Sequence, residues 1–159
     1  MAANTMDGQI DSKRLIIPGL AGLYQSIAPY SYAIIRFCAG AVLIYHGYGK
    51  LFAGGVPGLA EHVVKVLGLP FPLAWAYFLG ILECFGGALL AIGFLTRPIA
   101  LMLTIEFIVI AFWHSGNGYS FASPHGGYEY PAVLLFVYAA IFFRGAGRCS
   151  LDRMIGKEF

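Results

Sequence analysis

Residues Pro72 to Leu95 read PLAWAYFLGILECFGGALLAIGFL, an apolar run interrupted by one charged side chain, Glu83. A helix that crosses the hydrocarbon core of a bilayer needs roughly 20 predominantly apolar residues, so this run predicts a membrane-spanning helix. Downstream, only Thr96-Arg97 separates it from another run, Pro98 to Trp113 (PIALMLTIEFIVIAFW). So short a link demands a tight hairpin, with Pro98 at a helix start, where its missing N–H costs nothing. Upstream lies Tyr30 to Phe52 (YSYAIIRFCAGAVLIYHGYGKLF), and near the end lies Tyr128 to Phe143 (YEYPAVLLFVYAAIFF). The fold class these runs predict is all-α, a membrane-spanning four-helix bundle with short interfacial helices. The runs Pro98 to Trp113 and Tyr128 to Phe143 are short and require local thinning of the bilayer or extension by flanking residues.

Composition supports lipid as the solvent. Apolar residues make up 59% of the 159 residues and charged residues 11%, and mean hydropathy is +0.75. Soluble domains carry about a quarter charged residues, and soluble helices show a polar face. The apolar runs after the first have none, apart from one or two ionisable residues each. A net charge of +2 with no dense basic run argues against nucleic acid as a partner. Cys38, Cys84 and Cys149 form no CxxC pair. Cys38 and Cys84 lie inside apolar stretches, where thiols behave as small packed hydrophobes. Met1 to Ser12 is polar and lacks a basic region leading into an apolar core, so no cleavable signal is expected there.

Lys and Arg in short flanks set orientation. Lys13 and Arg14 precede the first run, Arg97 sits between the second and third, and Arg144, Arg148, Arg153 and Lys157 follow the fourth. The other side holds Lys50 and Lys65. Both termini are therefore expected in the cytoplasm. Three parts are expected along the chain: an N-terminal cytoplasmic or interfacial extension over 1–29, a four-helix transmembrane domain over 30–153, and a tail over 154–159. Within the extension, Leu15 to Pro29 reads as a segment lying on the headgroups. PGLAEHVVKVLG, Pro57 to Gly68, reads as a short amphipathic helix on the outer surface, with Leu59, Val63, Val66 and Leu67 sharing its apolar face. Pro57 stands near its start, Gly68 at its end, and Glu61 is placed to pair with Lys65. Gly80, Gly86, Gly87, Gly93 and the stretch Cys38-Ala39-Gly40-Ala41 mark places for close helix approach, since small residues let membrane helices touch backbone to backbone.

Ionisable groups inside a bilayer are costly unless paired, so each is a clue. At about 1.5 Å per residue, they fall into two clusters. The intramembrane cluster is Arg36, Glu83 and Glu106. It admits a structural ion pair, with one carboxylate protonated by desolvation, or a proton relay or ligand site between helices. The outer cluster is His46, Lys50, His114, His125 and Glu129, with Tyr45, Tyr48, Trp113, Tyr128 and Tyr130 near. It admits a polar pocket for a small molecule or quinone headgroup, a metal site, or hydrogen-bonded helix ends. No HxH, HxxH or HxxxH spacing occurs, so no metal is assigned.

Read in order, several of these stretches resemble the DoxX family of small bacterial membrane proteins. The resemblance is carried by Ile35-Arg36, YHGYGKLF at Tyr45 to Phe52, LGLPFP at Leu67 to Pro72 and LECFGGALLAIGFLTRPIAL at Leu82 to Leu101. It continues in GYEY at Gly127 to Tyr130 and GAGRCSLD at Gly145 to Asp152. It implies four membrane helices in a bacterial inner membrane. The matching positions Arg36, His46, Gly47, Lys50, Glu83, Gly86, Gly87, Glu129 and Tyr130 become candidate structural or pocket residues. The family takes its name from a subunit linked to thiosulfate:quinone oxidoreductase. The resemblance thus implies an accessory or quinone-interacting subunit of a membrane oxidoreductase system, with quinone as the candidate cofactor. The partners to expect are the lipid bilayer, a membrane or soluble redox protein, and a second copy of the chain. A structural or assembly subunit of a larger complex is the alternative. A small solute or proton transporter is weakened by the lack of inverted repeats. No Rossmann or Walker sequence appears, so no catalytic motif is assigned.

Overall fold

The computed structural model describes residues 12–157 and 159; residues 1–11 of the expected extension lie outside the described set. Among the described residues every regular element is helical. After single turns at Ser12–Arg14 and Pro18–Leu20, α1 runs Ala21–Phe52. A short α2, Gly55–Leu59, passes into a π-helical turn at Ala60–Val64. α3 (Pro72–Ile81), a second π turn (Leu82–Gly86) and α4 (Gly87–Ile92) form one continuous rod. α5 is Thr96–His114, α6 is Glu129–Arg144, and α7 is a single turn at Leu151–Ile155.

Among the described residues, three helical stretches are long and apolar enough to cross a membrane: Pro18–Phe52, Pro72–Ile92 and Thr96–Asn117. α6, with 16 residues, lies along α5 and completes the bundle. At about 1.5 Å per residue it spans roughly 24 Å, so the shortness expected of this segment is real.

One boundary differs from the sequence reading. No break separates residues 29 and 30, because α1 begins at Ala21 and carries Pro29 inside it. Its 32 residues extend about 48 Å, well beyond a hydrocarbon core of about 30 Å.

Large apolar side chains cover the outside of the bundle as well as filling its core. Small residues lie inside with them: Ala39, Ala76, Ala91 and Ala100 are buried. On the outside, Phe37, Phe78, Phe85, Ile105, Phe112 and Phe136 are all exposed. A soluble protein would not leave so much contiguous apolar surface uncovered, whereas lipid covers it without cost. The chain is a multi-pass membrane protein.

The glycines do what their positions predict. A Cβ on Gly40 would stand 2.4 Å from the Gly87 carbonyl oxygen, so α1 and α4 touch backbone to backbone. A Cβ on Gly47 would stand 2.2 Å from the Cys84 nitrogen. The shared core then gathers Leu43, Leu90, Leu103, Phe107, Tyr138 and Ile141.

The segment after α1 departs from its expected role. Gly68 ends it with φ +74°, as a C-terminal glycine should. The Glu61–Lys65 pair forms at 2.9 Å, and this hydrogen bond holds the Glu61 carboxyl below its ordinary range. The helix begins at Gly55, two residues before Pro57, and its π turn rotates the apolar face. Val56, Ala60 and Val64 pack with Ala76 of α3, while Val66, expected on that face, is exposed.

Candidate functional site

The π turn at Leu82–Gly86 is the local cause of the site. Adding a residue to one helical turn re-aims the side chains around it, and such turns recur at functional positions. Gly47 lets α1 lie directly on this turn, and Gly80 gives room to Leu51. Lys50, one turn beyond Gly47, then reaches Glu83, and its Nζ donates to Glu83 Oε2. The Glu83 side chain is 3% exposed and that of Lys50 24%. The long lysine stem thus carries its charge inward from the end of α1.

Beside this pair lies a cavity of about 660 Å³. α1 contributes Leu43, His46 and Lys50, and the rod contributes Trp75, Phe78, Leu79, Leu82 and Glu83. α5 contributes Met102, Ile105, Glu106, Val109, Ile110, Trp113 and His114. Leu59, Val63 and Leu67, the face expected to rest on the membrane surface, instead line the cavity. Tyr130 and Phe121 complete it, their rings 5.4 Å apart. α5 packs on α4 and the π turn at its Thr96 end. Farther along, Trp75 and Phe78 of α3 and Met102, Ile105 and Val109 of α5 line the cavity and are also exposed. The cavity therefore opens between α3 and α5, through an apolar rim within the membrane-spanning stretches.

The polar groups are few. Glu106 is 6% exposed, interacts electrostatically with Glu83 and Lys50, and its Oε2 has no hydrogen-bond partner. The His114 ring meets the Gly126 carbonyl oxygen through Nδ1 at 3.1 Å. A carbonyl only accepts, so Nδ1 carries a proton in this hydrogen bond. His46 is exposed and lies 6.3 Å from the Tyr130 ring, centroid to centroid.

The structure thus regroups the two clusters expected from sequence. Lys50, His46, His114 and Tyr130 of the outer set join Glu83 and Glu106 of the inner set around one cavity. Arg36 does not belong with them. It lies about 20 Å from Lys50 along α1, and its guanidinium donates to the carbonyl oxygens of Ala146, Cys149 and Ala91. The correction has a plain cause: GAGRCSLD folds back onto the bundle end and brings carbonyls to Arg36 before either glutamate can reach it. His125 and Glu129 also stand apart. The His125 carbonyl accepts from Asn117, and Glu129 Oε2 accepts from the Phe121 backbone N–H, so both serve the loop before α6. Among the described residues no group of three His, Cys, Asp or Glu side chains is placed to hold a metal ion.

Sequence reasoning missed Asp152. Its carboxylate accepts from the backbone N–H groups of Leu95 (2.9 Å) and Thr96 (3.0 Å), capping α5 from across the bundle. A signal was present: Ser150 followed by Leu-Asp-Arg is a helix N-terminus, and Ser150 Oγ accepts from Arg153 N–H.

Against known proteins, the family described as DoxX matches residues 31–116, more than half of the chain. That span covers Arg36, His46, Lys50, Glu83, Glu106 and His114. An uncharacterized protein of Haemophilus influenzae is 27% identical over 138 residues, which cover 82% of this chain and 94% of that protein. No solved structure matches. The chain belongs to the DoxX family.

Proposed function

We propose that this protein takes a lipid-soluble quinone into the cavity between α3 and α5 and acts as an accessory membrane subunit of an oxidoreductase. The observation that carries this reading is the lateral mouth. Its rim is apolar and faces the bilayer, so it suits a molecule that lives in lipid. The volume of about 660 Å³ falls within the range of roughly 300–1,000 Å³ for small-molecule sites. Apolar walls with a few convergent polar groups suit a quinone ring and the first units of its tail. Electrons would come from a partner that carries the redox cofactor.

The test is extraction of protein purified from native membranes in mild detergent, with mass spectrometry of the organic phase. About one quinone per chain is expected, and it should be lost in Val109→Trp, which fills the mouth. A stoichiometric place in a larger assembly with no bound quinone would favour an assembly subunit instead. One feature speaks for that second reading: Leu23, Tyr24, Ile27 and Tyr30, on the overlong start of α1, are exposed.

A further inference from the structure

We propose that Glu106 keeps a proton in the resting protein and anchors the ligand, donating a hydrogen bond to a carbonyl oxygen of an uncharged, lipid-borne molecule. The proposal rests on the quinone reading of the cavity and assigns the group that selects the ligand.

Lys50 supplies one positive charge, and Glu83 and Glu106 supply two carboxyls, all held in a site of low dielectric. Lys50 Nζ is already engaged by Glu83 Oε2, which leaves Glu83 as the ionised partner. A second ionised carboxylate beside it would be an unpaired like charge away from water, which is prohibitively costly. The neutral arrangement places one proton on Glu106.

Within the protein the competing acceptor for that proton is the Glu83 side chain, which lies within hydrogen-bond reach of Glu106 and is itself engaged by Lys50. From α1, Lys50 and His46 face the cavity, and Lys50 is committed to Glu83. The π turn contributes Glu83. α6 contributes Tyr130 and, beneath the cavity, Tyr138, whose hydroxyl donates to the Ala39 carbonyl at 3.0 Å. On α5 itself, His114 holds its Nδ1 proton against Gly126, and Thr104 donates to Ala100 at 2.6 Å. Glu106 Oε2 is buried with no partner, a condition native structures tolerate where a ligand completes the bonding. With the trio electrically neutral, a neutral ligand suits the cavity, and a carbonyl oxygen is the acceptor that an acid proton satisfies.

The chain's two tryptophans, Trp75 and Trp113, both line the cavity, so bound quinone can be read by quenching of intrinsic fluorescence. The full chain in lipid nanodiscs would be titrated with a decyl-substituted benzoquinone across the pH range. Saturable quenching is expected for the wild type, with affinity falling about tenfold per pH unit once the acid ionises. Glu106→Gln keeps an N–H donor and should bind with no pH dependence, whereas Glu106→Met should bind at least tenfold more weakly. Saturable but pH-independent binding by the wild type overturns the anchor while leaving the quinone site standing. So does pH-dependent binding that survives in Glu106→Gln, which decides the matter even if Glu106→Met does not fold. No saturable quenching at any pH removes the quinone reading and the anchor together.

Discussion

Lys50 and Gly47 show how much depends on single atoms near the π turn. Removing one member of a buried ion pair leaves the other charge uncompensated, at a cost of about 3–5 kcal/mol, whereas removing both is often nearly neutral. Lys50→Met should therefore lower the unfolding free energy in detergent by about 3 kcal/mol, and adding Glu83→Met should restore most of it. If the single variant unfolds like the wild type, the pair is solvated and the cavity has been misread. Gly47 has a steric role. A Cβ there would stand 2.2 Å from a backbone nitrogen, which cannot move aside as a flexible side chain could. Gly47→Ala should push α1 off the π turn and cost on the order of 2–3 kcal/mol, visible as a lower thermal midpoint. The small size demanded at Gly40 and Gly87 was legible in the sequence, because glycines inside a membrane helix mark close approach, whereas Gly47 was singled out only through the family resemblance. The pairing of Lys50 with Glu83 was not legible. Depth counted along ideal helices put one at the end of its helix and the other near mid-membrane. A flexible stem and one extra residue in a helical turn closed that gap.

Among the elements, the turn between α4 and α5 and the segment after α6 form one clamp. Leu95 has φ +50°, costly for a residue with a Cβ, and Asp152 holds it there by accepting from the N–H groups of Leu95 and Thr96. Asp152→Ala should cost about 1–2 kcal/mol as a lost cap and loosen the start of α5. Hydrogen exchange at Thr96 and Arg97 would register the change. Arg36 binds the other strand of the clamp, and Arg97 adds bonds to the carbonyls of Phe142 (2.9 Å) and Phe143 (3.2 Å). Arg36→Met would leave the Ala146 and Cys149 carbonyls without their charged donor, for a loss of about 3 kcal/mol. Because this clamp is far along α1 from the cavity, the fraction that stays folded should bind quinone as the wild type does. A folded Arg36→Met protein with lost binding would return Arg36 to the site from which the structure separates it. Helix positions were largely readable from hydropathy alone: α5 and α6 begin and end within two residues of the apolar runs that announced them. The start of α1 was not, because Pro29 signals a boundary only if nothing else holds the helix together, and here the helix runs through it.

For the whole molecule, sidedness is the property that charge should decide. The basic residues at the α4–α5 turn and after α6 lie at the same end of the bundle, since Asp152 caps α5 there. The positive-inside rule then predicts that this end faces the cytoplasm. A phosphatase fused after Phe159 should be inactive and a fluorescent protein fused there bright; the reverse result would invert the topology and turn the clamp outward. Hydropathy and the low share of charge determined on their own that this chain lives in lipid as a helical bundle, because apolar runs of about 20 residues satisfy their polar backbone groups in lipid by forming helices. Which buried acid meets which base was decided only in three dimensions. Partner choice depends on a π turn, on helices in backbone contact and on a tail folding back, and each acts between residues far apart along the chain.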